Sequence, residues 1–155
     1  MPTLIVIPGR EQLAMAHVFP WYNRWYNQLF VPAFCREATA LITHTAASAG
    51  VNGADQGAGT AKGILVQIAI SAITGTSPTL TVTLQGKAPS GDYHTVLASA
   101  ALNATGLTVL KVYPGLTAAA NTVASDILPS SWRVISTIGG TTPAVTATVH
   151  ASLID

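Results

Sequence analysis

Apolar and polar residues alternate with a period of two through much of the second half of the chain. This alternation is clearest in Ile64–Ile70, Thr79–Gln85 and Ala144–Leu153. Because successive side chains of a strand point to opposite faces, each segment is predicted to be a strand with one face in a core. The predicted core positions are Ile64, Val66, Ile68, Ile70, Leu80, Val82, Leu84, Val145, Ala147, Val149, Ala151 and Leu153. Further strand candidates are Ala38–Ala46, Val96–Ala100, Leu107–Tyr113 and Ser131–Ile138.

Turn-forming residues separate these segments at short intervals. They are Gly75, Pro89–Gly91, Asn103–Gly106, Pro114-Gly115, Pro129 and Gly139-Gly140. Short strands divided by such turns are typical of sandwiches and barrels. The sequence therefore predicts an all-β fold, an antiparallel β-sandwich spanning residues 62–155.

One segment of this region occurs twice. Ser71–Leu84 and Ser136–Val149 align without a gap at an offset of 65, and seven of the fourteen positions are identical. Gly75 and its counterpart Gly140 can supply the positive φ of a tight loop, and a proline three residues later suits the start of a strand. We therefore expect two pseudo-repeated hairpins. A phosphate-binding loop would instead need a glycine-rich turn that leads into a helix and carries a lysine.

The first 61 residues differ in character and are predicted to form an N-terminal arm. Leu4–Ile7 favours a short strand, and Glu11–Val18 contains good helix formers. In Phe19–Phe30 the sequence Trp-Tyr-Asn recurs at a spacing of four, which would stack like residues on a short helix. Ala47–Ala61 is rich in glycine and alanine and has the composition of a linker. The predicted division is therefore 1–61 for the arm and 62–155 for the sandwich.

The aromatic segment of the arm is the candidate interface. Its residues are Phe19, Trp21, Tyr22, Arg24, Trp25, Tyr26 and Phe30. Three interpretations stay open: packing on the chain's own sandwich, anchoring in a neighbouring subunit, where Trp and Tyr are enriched, and stacking on sugars or bases.

Composition narrows the possible functions. Only 8% of the residues are charged and 49% are hydrophobic, with a net charge of +1. Such a chain lacks the basic surface of a nucleic-acid-binding protein and fits a surface that neighbouring subunits cover. The single cysteine, Cys35, cannot form an intramolecular disulfide and is interpreted as a small buried hydrophobe rather than a reactive thiol. We expect no membrane-spanning segment and no signal peptide.

The residues that carry chemistry are few and scattered. The six carboxylates, which we interpret as solvated side chains, are Glu11, Glu37, Asp55, Asp92, Asp126 and Asp155. The four histidines have no metal-ligand spacing, and no nucleophile elbow, HExxH or EF-hand motif occurs. The sequence therefore predicts neither an enzyme nor a bound cofactor or metal.

Three stretches resemble a known family. They are ITGTSPTLTVTLQ at Ile73–Gln85, SGDYH at Ser90–His94 and WRVISTIGGTTPAVTATV at Trp132–Val149. Together they resemble the small β-sandwich virion proteins of tailed bacteriophages. The resemblance covers about residues 62–155 and consists of turn and core positions, so it carries over no functional residue. It implies a sandwich fold and a structural place in a phage particle.

We therefore expect a non-enzymatic structural virion protein. A capsid decoration (cement) protein is favoured over a neck or tail component. The expected partners are the major capsid protein and other copies of the chain, with no nucleic acid and no membrane, in a virion assembled in the host cytoplasm. The alternative from another class is a glycan- or host-surface-binding module, which also uses β-sandwiches and exposed tryptophan.

Overall fold

The computed structural model describes residues 39–155, and this part of the chain is all-β. Its strands are β1 (Thr39–Ala47), β2 (Gln56–Gly57), β3 (Gly63–Lys87), β4 (Tyr93–Ala98), β5 (Gly106–Val112), β6 (Val123–Ala124) and β7 (Ser131–Ile154). The described residues contain no helix, and so none that is long and apolar enough to cross a membrane. The all-β prediction is confirmed. The predicted strand Leu4–Ile7, the predicted helical segments, Cys35 and the aromatic interface residues lie outside the described residues.

The strands form one seven-stranded sheet in the order β1-β7-β3-β5-β6, with β2 on β7 and β4 on β3. All pairings are antiparallel except β5 with β6. The two long strands, β3 and β7, pair with each other along almost their whole length and form the centre of the sheet. Strand β1 lies within the predicted arm, and it extends the sheet by pairing with the second half of β7.

The prediction of two hairpins is wrong. Each repeated segment lies within one continuous strand, the first in β3 and the second in β7, and the chain does not fold back on itself there. The two copies instead pair with each other, and Thr76 lies opposite Thr141, its own counterpart in the repeat. The flanking pairs follow the same symmetry. Thr74 pairs with Ala144, and their counterparts in the repeat, Gly139 and Thr79, also pair with each other. The pairs Ile73–Val145 and Leu80–Ile138 are related in the same way. The repeat is thus a local pseudo-two-fold centred on Thr76 and Thr141.

Equivalent backbone distortions mark the middle of both long strands. Gly75 and Gly140 have φ values of +124° and +110°, and Ser77 and Thr142 have values of +50° and +48°. A Cβ at Gly75 would lie 2.7 Å from the Thr142 carbonyl oxygen, and one at Gly140 would lie 2.6 Å from that of Ser77. Glycine is therefore required at both positions by close approach as well as by φ. The glycine and proline signals mark a local distortion within each continuous strand, not a reversal of the chain.

A single hydrophobic core collects residues from both halves of the long strands. Eleven of the twelve predicted core positions are buried, and Leu153 is partly buried. The alternation ends near the last residues of β7, where Ala151 and Ser152 are both buried. Trp132, Val134 and Leu110 add to the same cluster. The period-two pattern therefore identified the core correctly.

Candidate functional site

The candidate site is a cluster of polar side chains on one outer face of the sheet. We call it the Arg133 cluster, and its members are Asp55, Gln85, Lys87, Tyr93 and Arg133. The charged residues among positions 39–155 are Lys62, Lys87, Lys111, Arg133, Asp55, Asp92, Asp126 and Asp155. Three of them meet in this cluster, which is therefore the main concentration of charge in the described part of the chain.

Strand register brings these side chains together. In β3, Leu84 and Gly86 are buried, so Gln85 and Lys87 point to the opposite face. Gln85 pairs with Arg133 in β7, and Lys87 pairs with Tyr93 in β4. The β3–β4 connection is a tight turn closed by a 2.8 Å hydrogen bond from the Ala88 N–H to the Asp92 carbonyl.

Asp55 joins the cluster from the segment just before β2. The Tyr93 hydroxyl donates to Asp55 Oδ1 at 2.7 Å, and Lys87 Nζ lies 2.6 Å from Oδ2. The pKa of Asp55 is lowered below its ordinary value. The hydrogen bond from Lys87 is the largest cause, and the hydrogen bond from Tyr93 is the next. The hydrogen bond to Asp55 likewise raises the pKa of Lys87. The sequence predicts Asp55 to be a solvated loop acid. It is exposed, but both of its oxygens have partners.

Arg133 is held by two contacts. Its Nε donates to Gln85 Oε1 at 3.0 Å, and its Cζ lies 3.4 Å from the centroid of the Tyr93 ring. Lys87 Nζ lies farther from the same ring centroid, at 5.4 Å. The short Arg133 distance is that of a guanidinium stacked on an aromatic face, an arrangement that favours arginine over lysine. The Arg133 side chain is therefore positioned before any ligand arrives.

A second polar cluster lies on the buried side of the same strand. His44 and Ser136 are 2% and 4% exposed, and His44 Nε2 lies 2.9 Å from Ser136 Oγ. Ser136 Oγ accepts from the Val51 N–H at 2.9 Å and donates to the Val51 carbonyl at 3.2 Å. The Ser136 backbone N–H donates to the same Val51 carbonyl at 2.8 Å.

Burial of the His44 ring lowers its pKa. A histidine beside a serine can activate a nucleophile, but that chemistry needs access for a substrate. Here both side chains are enclosed, and their hydrogen bonds join β1, the segment at Val51 and β7. This cluster therefore holds the segment before β2 against the sheet.

A small cavity of about 190 Å³ opens near β1 and β2. Its lining residues are Thr39, Leu41, Gln56, Gly57, Trp132, Ala151 and Leu153. Trp132 is 3% exposed, and no acceptor among residues 39–155 reaches its Nε1 donor. Among these residues, no group of three His, Cys, Asp or Glu side chains lies close enough together to hold a metal ion.

Sequence reasoning did not find the Arg133 cluster. The alternation in β3 already placed Gln85 and Lys87 on one face, which was the available signal. Asp55 and Arg133 reach the cluster only because distant parts of the chain lie side by side in the sheet. That pairing cannot be read from the local sequence pattern. The predicted aromatic interface lies outside the described residues and stays a prediction. No family model matches the chain, and no curated protein sequence is significantly similar to it.

Proposed function

We propose that this protein is a non-enzymatic structural component of a bacteriophage virion, and specifically a capsid decoration protein. The observation that carries the proposal is the low charge of the outer surface of the sheet. Threonine and serine line much of the face opposite the core, and most charges of the described region are confined to the Arg133 cluster and a few turns. A neutral polar surface of this kind suits contact with neighbouring subunits, because few charges must be desolvated.

We also propose that the sheet is folded into two layers as a β-sandwich. Three features support this architecture. Both long strands have backbone distortions at equivalent central positions. The first half of β3 pairs with the second half of β7 and with β5, whereas its second half pairs with the first half of β7 and with β4. Buried side chains from both halves join one core, as two facing layers require.

The N-terminal arm is proposed to bind neighbouring subunits. Its anchors would be the aromatic residues Phe19, Trp21, Tyr22, Trp25, Tyr26 and Phe30, with Arg24 between them. Large aromatic side chains and arginine supply much of the binding energy in protein interfaces. The proposed partners are the major capsid protein and other copies of this chain, in a virion assembled in the host cytoplasm.

The test is incorporation into particles that lack the protein. The full chain is expected to bind such capsids and to give density at symmetry-related capsid sites, with trimers at three-fold positions. The Trp21→Ala/Trp25→Ala double variant is expected to bind much more weakly, and a variant lacking residues 1–36 is expected not to bind. Lys111→Gln is a control on an exposed position of β5.

Circular dichroism on each variant checks that the β-sheet is retained. If the protein instead forms six-fold rings at the neck or tail of the particle, it is a neck or tail component and not a decoration protein. Absence of the protein from purified particles would contradict the virion proposal altogether.

A further inference from the structure

The Nη groups of Arg133 are hydrogen-bond donors that the contacts of the Arg133 cluster leave unused. The Nε donor is used by Gln85, and the ring of Tyr93 covers one face of the guanidinium. Among residues 39–155, neither Nη atom donates a hydrogen bond, and the one ion pair is that of Lys87 with Asp55. A guanidinium presents its Nη donors as a planar fork, and here that fork has no partner within the described sheet.

Asp55 does not accept a hydrogen bond from the Arg133 Nη donors. Its two oxygens already accept from Tyr93 and Lys87. The cluster therefore contains two cations and one committed carboxylate, which leaves one positive charge without a counterion. A monoanion would complete the balance, whereas a doubly charged phosphate would leave an excess negative charge beside Asp55. The planar fork also matches a carboxylate in geometry.

We propose that Arg133 is a carboxylate-binding site. The carboxylate accepts from the Nη donors, while Gln85 and Tyr93 hold the guanidinium in place. The carboxylate can come from an Asp or Glu side chain of a protein or from a free small acid. The inference goes beyond the proposed virion role, since it depends only on contacts within residues 39–155.

The experiment is a nuclear magnetic resonance titration of the full chain. Sodium acetate is compared with sodium chloride at equal ionic strength, and the Arg133 Nε–H and Tyr93 ring signals are followed. The wild type is expected to show saturable shifts with acetate and not with chloride. Arg133→Lys keeps the charge and loses the fork, so its affinity is expected to fall at least tenfold. Lys111→Gln removes a charge elsewhere and is expected to bind acetate like the wild type.

Gln85→Ala tests positioning separately from charge. It leaves Arg133 intact but removes the acceptor of Nε, so a smaller loss, about threefold, is expected in acetate affinity, corresponding to about 0.65 kcal/mol at 25 °C. A dispersed spectrum for each variant shows that the fold persists, and a change in affinity then reports on the site itself.

A second arm distinguishes the two sources of the carboxylate. A short peptide with one glutamate is titrated against the same peptide with glutamine. If the glutamate peptide binds at least tenfold more tightly than acetate, the ligand is a protein side chain; similar affinities indicate a free acid. Both results support the proposal. It is overturned if neither carboxylate gives a saturable shift, or if Arg133→Lys binds as well as the wild type.

Discussion

The two polar clusters on β7 differ in almost every respect although Arg133 and Ser136 are near neighbours in sequence. The Arg133 cluster is partly exposed and charged, whereas the His44–Ser136 cluster is buried and bound to backbone groups. Successive residues of a strand face opposite ways, so residue parity alone places one cluster outside and the other inside. A buried polar group must be fully hydrogen bonded, while an exposed one can keep donors for a ligand. The inner cluster is therefore expected to support stability and the outer one binding.

The largest effect is expected for Trp132 on the inner face. Trp132→Ala should lower the free energy of unfolding by about 3–5 kcal/mol, because it empties a buried aromatic site beside an existing cavity. Trp132→Phe should cost clearly less, since the ring remains and the lost N–H has no acceptor among residues 39–155. Denaturant unfolding measures both. Equal losses for the two variants would contradict the assignment of Trp132 to core packing.

Ser136→Ala comes next. It leaves His44 Nε2 and the Val51 N–H without their side-chain partner, while the Val51 carbonyl keeps its hydrogen bond from the Ser136 backbone N–H, so a loss of roughly 1–3 kcal/mol in unfolding free energy is expected. Ser90→Ala is the matched control, because Ser90 bonds only to Asp92 at an exposed turn. If the two variants unfolded at the same denaturant concentration, the result would contradict a stabilising role for the His44–Ser136 cluster.

A smaller effect is expected from pH acting on His44. The pKa of His44 is lowered in the folded protein. Between this lowered pKa and the ordinary histidine pKa, the unfolded chain therefore binds more protons than the folded one. Stability is then fully present above the ordinary histidine pKa and falls as the pH drops toward the folded value. Unfolding free energies measured between about pH 7 and about pH 5 should show this slope. His44→Gln should flatten it.

The smallest effect on stability is expected for the outer cluster. Asp55→Asn removes the ion pair with Lys87, but both side chains are about one-third exposed, so the denaturation midpoint should hardly move near neutral pH. Since the pKa of Asp55 is lowered, the stability it contributes is present above the ordinary carboxyl value and lost as the pH falls through the lowered one. A loss as large as that of Ser136→Ala would remove the contrast between the two faces.

The sequence predicted the strands and the core well, because burial follows a period of two that is visible in residues such as Ile64, Val66 and Ile68. It failed at Gly75 and Gly140. A glycine followed by proline looks alike in a hairpin loop and in a distorted continuous strand, and only long-range pairing tells them apart. Asp55 and Arg133 were missed for the same reason. Their association depends on which strands are neighbours.

The pairing of Thr76 with Thr141 has a consequence for the origin of the chain. An element that pairs with its own copy about a two-fold axis has the geometry of a contact in a symmetric homodimer. A shorter ancestor with one copy of the segment could form this contact only between two molecules, at a strength that depends on their concentration. Duplication and fusion within one gene make the contact intramolecular. The half-identical segments are the record that such a fusion would leave.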